Sequence, residues 1–170
     1  MSDEKIRLVE DKFIHHWGSL GSAWGVNKTM TQIHSLLMVN SEPLTTDEVM
    51  ERLQISRGNA HKNLKELQMW GIVKPAIVPG SRKDYYSAEK EPWKMLCVLA
   101  RERKRREIEP AIEALEDCLS DLKDLPRDDV AEMADMMKDM KEFLEMADNI
   151  LGKLGRSEKA FVLKWMMKLI

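Results

Sequence analysis

The chain has 170 residues, of which 44% are hydrophobic, and this is enough apolar material to bury a core in one compact protein. Its 27 lysines and arginines against 29 acids leave a formal net charge of −2, which excludes a uniformly basic protein. The sequence has no apolar run of about 18 residues, and its first residues lack a signal-peptide core, so we expect a cytoplasmic protein with no membrane partner.

The charge distribution, the cysteines and the missing catalytic motifs exclude further classes of function. Residues 110–149 hold 4 lysines and arginines against 13 acids, so a basic surface has to come from elsewhere in the chain. Cys97 and Cys118 have no histidine or second cysteine at ligand spacing, and we expect two buried thiols with no metal and no cofactor. The sequence also lacks a glycine-rich phosphate loop and a nucleophile with its base at a recognisable motif, which argues against an enzyme.

The first third of the chain predicts three helices. Apolar residues recur every three or four positions over residues 3–24, as in an amphipathic helix. Asn27 can cap a second helix, which the segment NSEP ends. In LTTDEVMERL, Thr45 and Glu48 have the spacing of a capping box, so a short third helix is expected from Thr46 to Leu53.

The fourth predicted helix, Arg57 to Trp70, begins with a charge of the wrong sign. Ser56 is its expected cap, but the first turn carries a cation and no acid occurs before Glu66. A cation at this end of the helix dipole is unfavourable by roughly 0.3–1 kcal/mol unless an anion comes to meet it. The pattern therefore indicates a phosphate partner. Because a short turn joins this helix to the third one, the two form a helix-turn-helix.

A β-hairpin is expected directly after the fourth helix. IVKPAIV and DYYSA are rich in strand formers, and the segment PGSRK between them, residues 79–83, supplies turn residues and two cations. A basic hairpin after a helix-turn-helix is the outline of a winged helix. The expected fold class is therefore mainly α with a small β-hairpin: a winged helix-turn-helix with N- and C-terminal dimerisation helices.

The rest of the chain is expected to be helical. Pro92 opens a long helix, which Pro110 should kink near Arg106. GKLGRS should end the following helix and precede a terminal helix around Trp165. The helix before that break repeats an apolar residue every three or four positions, and such a repeat needs a partner helix, although a pliable Met-rich pocket is the alternative. We call this set the seam: Val130, Met133, Met137, Met140, Leu144, Ala147, Leu151 and Leu154.

The segment of about residues 42–95 closely resembles a known family, and the motifs that carry the resemblance lie in residues 55–95. ISRGNAHKNLKELQMWGIVKPAIVPGSRKDYYSAEKEPWKM resembles the GbsR-like branch of the MarR superfamily of winged-helix transcriptional regulators. The resemblance implies a homodimer that binds double-stranded operator DNA, with the recognition helix, residues 57–70, in the major groove and the wing, residues 79–83, near the minor groove. With the predicted elements it gives three regions: an N-terminal dimerisation helix, 1–26; the winged helix, 27–91; and C-terminal dimerisation helices with a candidate effector region, 92–170.

The recognition helix should turn its polar face to DNA. Ala60, Leu64 and Leu67 share the core face, which leaves the cations on another face. An arginine can hold guanine with two hydrogen bonds, lysines and small polar side chains can hold phosphates, and a glycine lets the DNA backbone approach. The alternative for this face is a solvated polar surface. The candidate DNA-binding residues are Ser56, Arg57, Gly58, Asn59, His61, Lys62, Lys65, Arg82 and Lys83.

The sequence thus predicts a sequence-specific DNA-binding transcriptional regulator, a repressor that acts as a homodimer. The alternative is a winged-helix protein-interaction module without specific DNA binding. The resemblance also implies an effector, since family members respond to choline and aromatic faces bind quaternary ammonium; Trp17, Trp24 and Trp93 are the candidate residues, with core packing as the alternative. Acids intersperse the basic run from Arg101 to Arg106, and a solvated helix face is expected there.

Overall fold

The computed structural model describes residues 2–156 of the chain. The chain divides at Glu91 and Pro92 into an N-terminal unit and a C-terminal unit. The N-terminal unit contains the helices α1 (Ser2–Ala23), α2 (Lys28–Val39), α3 (Thr46–Leu53) and α4 (Arg57–Trp70), and the strands β1 (Leu44–Thr45), β2 (Val73–Ala76) and β3 (Tyr85–Ala88).

Three helices of this unit begin at the side-chain caps that the sequence predicts. The Asn27 side chain accepts a hydrogen bond from the Met30 N–H at the start of α2. Thr45 and Glu48 form both hydrogen bonds of the capping box at the start of α3. Ser56 Oγ accepts from the Asn59 N–H at the start of α4. Each cap satisfies a backbone donor that has no partner within the helix, which fixes where the helix begins.

The sheet has a third strand that the sequence did not reveal. The hairpin of β2 and β3 is antiparallel, with Val73 opposite Ala88 and Ala76 opposite Tyr85. The two-residue strand β1 pairs with the other edge of β3, so the strand order is β1-β3-β2. This pairing attaches the chain just before α3 to the wing. The sheet and helices α2 to α4 enclose a core of fully buried side chains: Met30, Ile33, Leu36, Val49, Leu64, Leu67 and Val73.

Helix α1 packs closely on α2 through two glycines. Gly18 and Gly21 are buried, and a Cβ at either position would overlap with the side chain of Gln32 or Thr31. From sequence alone these glycines only weaken the helix, since glycine costs about 1 kcal/mol relative to alanine in a helix interior. The close approach of the two helices is what requires them.

A buried histidine joins α2 to the end of the wing. His34 is 4% exposed, and its Nε2 donates a hydrogen bond to the Glu89 carbonyl oxygen, 3.2 Å away. Burial disfavours the charged imidazolium and lowers the pKa of His34 from 6.5 to about 4. The ring is therefore neutral at physiological pH and serves as a structural hydrogen-bond donor.

The C-terminal unit differs from the sequence prediction at two places. Pro110 is preceded by a π-helical segment, Lys104–Ile108, which the sequence did not predict; the Glu109 N–H reaches the Lys104 carbonyl there. The predicted break at GKLGRS is wrong as far as Arg156, because α7 continues through both glycines, and a Cβ at Gly155 would crowd the side chain of Arg101. The helices of this unit are α5 (Pro92–Arg103), α6 (Glu109–Asp121) and α7 (Arg127–Arg156).

Part of the seam packs against other helices of the C-terminal unit. Its members Val130, Leu144 and Leu151 are half-buried, on a helix that packs against α5 and α6. A cavity of about 720 Å³ between α6 and α7 is lined by leucines, alanines, Val130 and polar residues rather than by methionines, so it is not a Met-rich pocket. Two other seam members, Met133 and Met140, lie on the exposed side of α7. Together with neighbouring apolar side chains they form a set that is 42–63% exposed and that we call the outer stripe: Met133, Met136, Met140, Phe143, Met146 and Ile150.

Three further sequence predictions concern single features of the chain. Cys97 is buried as expected, but Cys118 is exposed on α6, so the prediction of two buried thiols is wrong for Cys118. Among residues 2–156, no helix is both long and apolar enough to cross a membrane. The terminal helix expected around Trp165 lies outside the described residues.

Candidate nucleic-acid interface

The recognition helix buries one side and exposes the other, as predicted. Ala60, Leu64 and Leu67 are at most 1% exposed and pack into the core. Because a helix turns about 100° per residue, the side chains of His61, Lys62 and Lys65 point away from that core, and all three are exposed. The side chains of these three residues therefore face away from the core of the unit.

The turn between α3 and α4 is tight because Gln54 takes an unusual backbone conformation. Its φ is 52°, in the left-handed region, and its N–H bonds to the Met50 carbonyl to end α3. Among residues 2–156, Gln54 is the one residue other than glycine with a positive φ. Such strain of about 1–3 kcal/mol persists only where the surroundings hold it, and here it sets the angle between the two helices.

Asn59 is held by Asn63, a residue outside the predicted set of DNA-binding residues. The Nδ2 group of Asn63 donates to Asn59 Oδ1 at 2.7 Å and to the Asn59 carbonyl at 2.9 Å. Asn63 is only 3% exposed, whereas Asn59 is exposed. The carbonyl side of the Asn59 amide is thus engaged, and its NH₂ group remains to donate to an incoming phosphate. The i,i+4 spacing of two asparagines was the available sequence signal.

Nothing in the described part of the chain requires a glycine at position 58. It is exposed, a Cβ there would meet no atom within 4 Å, and its φ is not in the left-handed region. Another residue would therefore fit the fold equally well. The absence of a side chain leaves the backbone at the start of α4 open to a ligand.

Arg57 has an anionic partner within the chain. Its Nη2 lies 2.6 Å from Oδ1 of Asp47, in the first turn of α3. The side chains are 70% and 56% exposed, so this pair is a weak surface interaction. The expectation that an external anion must offset Arg57 is corrected: Asp47 supplies one, because the tight turn brings the starts of α3 and α4 together.

The other cations of the interface have no such partner. Lys62, Lys65, Arg82 and Lys83 are exposed and form no ion pair with the described part of the chain. In the wing, Gly80 has a φ of 83°, and Ser81 Oγ accepts from the Lys83 N–H at 3.2 Å, which orders the turn. These four positive charges are therefore available to a polyanion.

The wing lies near the start of α3. The pKa of Glu48 is lowered first by the backbone and side-chain hydrogen bonds from Thr45, and further by the positive charge of Lys83. The charge of the wing residue Lys83 therefore acts on the capping box at the start of α3. The structure brings together, within one unit, the basic residues of the recognition helix and of the wing.

The candidate effector residues are divided between the two units. Trp17 is half-buried and stacks on Phe13, with ring centroids 5.5 Å apart, as expected of core packing. Trp24 follows α1 and is 50% exposed. Trp93 is half-buried in α5 of the C-terminal unit. Within the N-terminal unit, only two of the three tryptophans are present to form a site.

The basic run from Arg101 to Arg106 forms a solvated helix face only in part. Arg101 donates a hydrogen bond to the Gly155 carbonyl of α7 at 2.8 Å, and Lys104 binds Asp148 of α7, so these two side chains pack on α7. The other three basic side chains pair with acids of the same segment, as expected. Arg103 binds Glu107 at 3.0 Å, and Glu102 accepts from both Arg105 and Arg106. Pairs of this kind at i,i+3 and i,i+4 each add about 0.2–0.5 kcal/mol to a helix. The run is therefore a poorer candidate for phosphate than the unpaired lysines of α4.

The fold is a winged helix of the kind found in transcriptional regulators. A solved crystal structure of a transcriptional regulator matches it with a TM-score of 0.66, over 86% of this chain and 96% of that chain, at 20% sequence identity. The chain is also similar to the HTH-type transcriptional repressor GbsR of Bacillus subtilis (strain 168): 28% identical over 166 residues, 96% of this chain and 85% of the relative. The resemblance to GbsR-like regulators is thereby confirmed, although no protein-family model matches the chain.

Proposed function

We propose that the protein is a sequence-specific DNA-binding transcriptional regulator that represses its target as a homodimer. The observation that carries this proposal is the exposed face of α4, which bears unpaired cations beside an open helix N-terminus and a basic wing. The similarity to a relative named as a repressor supports it. This function requires no enzymatic step.

The residues of the interface divide into two roles. Arg57 and, one and two turns further along the same face, His61 and Lys65 reach base edges in the major groove, where a bidentate arginine discriminates guanine by about 1–3 kcal/mol. Ser56, Asn59 and Lys62 bind phosphates and set the register of the helix on the duplex. Arg82 and Lys83 of the wing contact the minor-groove side. Lys62 and the wing lysine add affinity without sequence preference.

Dimerisation is assigned to residues 1–26 and 92–170, and DNA binding to residues 27–91. Exposed apolar surface in both terminal regions supports this division: the outer stripe of α7, and Ile6, Leu8 and Val9 of α1, which are 55–69% exposed. Soluble monomers rarely expose contiguous patches of this kind. A two-fold symmetric dimer would place its recognition helices in successive major grooves about 34 Å apart, so the operator should be palindromic.

The proposal is tested by selecting bound sequences from random duplex DNA with the full-length protein, followed by binding measurements at several salt concentrations. We expect enrichment of a palindrome. Arg57→Ala should weaken operator binding by about 1–3 kcal/mol and relax the preference at one position, whereas Lys62→Ala should weaken all sequences alike and reduce the salt slope by about one unit. Lys28→Ala, which removes an exposed cation from the start of α2, is the matched control and should change neither.

The alternative function is a winged helix that binds another protein. Met69 and Ile77, at the end of α4 and after β2, are 76% and 96% exposed, and exposed apolar side chains of this kind favour a protein surface. In that case the selection enriches no sequence, and Lys62→Ala has no effect on the weak DNA binding that remains. Retained sequence preference at moderate salt excludes this alternative.

A further inference from the structure

Asp47 is placed to control how Arg57 meets DNA. It is the second residue of α3, and its carboxylate contacts the guanidinium at the first residue of α4, as described above. Neither residue lies on the core side of its helix, and both side chains remain more than half exposed. An acid at this place needs an explanation, since a carboxylate beside a DNA-binding face repels phosphate.

The helix that carries Asp47 is fixed at both ends. At its start, Glu48 accepts hydrogen bonds from the Thr45 N–H and hydroxyl at 2.7 Å, and Thr45 pairs with Tyr85 of the wing strand. Towards its end, Arg52 binds Glu10 of α1 at 3.1 Å. Asp47 is therefore a carboxylate on a rigid support, and a pair formed with it restricts the partner side chain.

The contact leaves most of the Arg57 guanidinium available. The group has five N–H donors in a planar fork, and Asp47 Oδ1 engages only the Nη2 edge. A guanine needs two donors. Arg57 can therefore keep its bond to Asp47 while it binds a base edge, whereas a phosphate approaching the same edge as Asp47 meets a negative charge.

We propose that Asp47 is a positioning residue for sequence readout: it orders Arg57 before DNA arrives and discourages its use as a simple phosphate contact. The inference rests on the proposed function. Two consequences follow for Asp47→Asn. In the variant, binding to the operator has to order the flexible Arg57 side chain, which Asp47 holds in the wild-type protein. On random DNA, the released guanidinium of Arg57 can form an additional phosphate contact.

The expected effect of Asp47→Asn is a lower ratio of operator affinity to random-duplex affinity. Because an exposed ion pair is weak, the loss of this pre-ordering should lower operator binding by about twofold to fivefold. On random DNA the salt slope should steepen by about 0.9, the value for one phosphate contact. A residue that only stabilised the helix would change neither the ratio nor the slope at salt concentrations where the protein stays folded.

The test compares the wild-type protein with Asp47→Asn, Asp47→Glu and Glu51→Gln on the selected operator and on random duplex, at three salt concentrations. Glu51 is an exposed acid on the same helix, so its substitution gives the same change of charge without touching Arg57. Asp47→Glu keeps a carboxylate and should retain most of the ratio. Circular dichroism reports whether each variant is folded.

A double-mutant cycle with Arg57→Ala identifies the mechanism. We expect Asp47→Asn to leave the ratio unchanged in the Arg57→Ala background. The inference is overturned if Asp47→Asn keeps the wild-type ratio, if Glu51→Gln lowers it equally, or if the loss persists without Arg57. A wild-type protein that prefers no sequence overturns the proposed function as well, so the two failures are distinguishable.

Discussion

Replacing Gly58 with alanine separates the stability of α4 from its proposed contact with DNA. The fold accepts the added methyl group, because a Cβ at this position meets no atom within 4 Å and the backbone is not left-handed. Alanine also reduces the conformational freedom of the unfolded chain. The free energy of unfolding should therefore increase by about 0.4–1 kcal/mol.

The same methyl group should weaken binding to the operator. If the start of α4 lies against the DNA backbone, the Cβ that the substitution adds pushes a phosphate away from the N–H groups there. Loss of one such hydrogen bond, worth about 1.4 kcal/mol, corresponds to roughly tenfold in affinity. A more stable protein with weaker DNA binding is the expected combination.

Thermal denaturation and fluorescence anisotropy with labelled operator measure the two effects of Gly58→Ala. Gly71→Ala is the matched control: its neighbourhood is equally open, but its φ of 79° ends α4 in the left-handed region, so alanine should destabilise the fold by about 1–2 kcal/mol. Unchanged operator affinity of the Gly58 variant would refute the close approach of DNA to α4. A loss of stability would refute the geometry of the helix start.

Three further predictions concern the core, the dimer and the effector. The pKa of His34 is about 4 in the folded protein and 6.5 in the unfolded chain, so the unfolded chain takes up a proton first as the pH falls from 6.5 towards 4. The free energy of unfolding should therefore be about 2 kcal/mol lower at pH 5 than at pH 7. In urea titrations His34→Gln should remove this pH dependence, whereas His15→Gln should not. We expect the full-length protein to sediment as the proposed dimer and the double variant Met140→Lys, Phe143→Lys on the outer stripe to sediment as a monomer; a dimer that persists in the variant would place the interface elsewhere. Calorimetry should give heat with choline or glycine betaine that Trp24→Ala abolishes; absence of heat would leave the effector site unsupported.

Local signals in the sequence were sufficient for the helix-turn-helix and the wing. The caps at Asn27, Thr45 and Ser56 and the strand formers around the PGSRK turn each act within a few residues of the chain. The apolar spacing of α4 likewise indicated which face is buried. Such features are readable because a cap or a turn is satisfied by neighbours three or four residues away.

The resemblance and the exposed cations of α4 indicated the candidate DNA-binding residues, but their surroundings needed the structure. Asn63 as the support of Asn59 follows a recognisable i,i+4 spacing. The pairing of Asp47 with Arg57 follows no such spacing, because the two residues are ten positions apart and a left-handed turn at Gln54 lies between them. No periodicity predicts which side chains a turn brings together.

Only the tertiary structure decided the features that depend on distant segments. The pairing of β1 with β3 joins residues about 40 positions apart, and a two-residue strand has no pattern of its own. Gly18 and Gly21 are required by the close packing of α1 on α2. Gly155 lies within α7 because the Arg101 side chain packs against it. In the N-terminal unit the sequence determined where the helices start and where the wing turns, because local hydrogen bonds decide those positions. Contacts between segments, and the end of α7, depend on packing, which the order of residues along one segment does not specify.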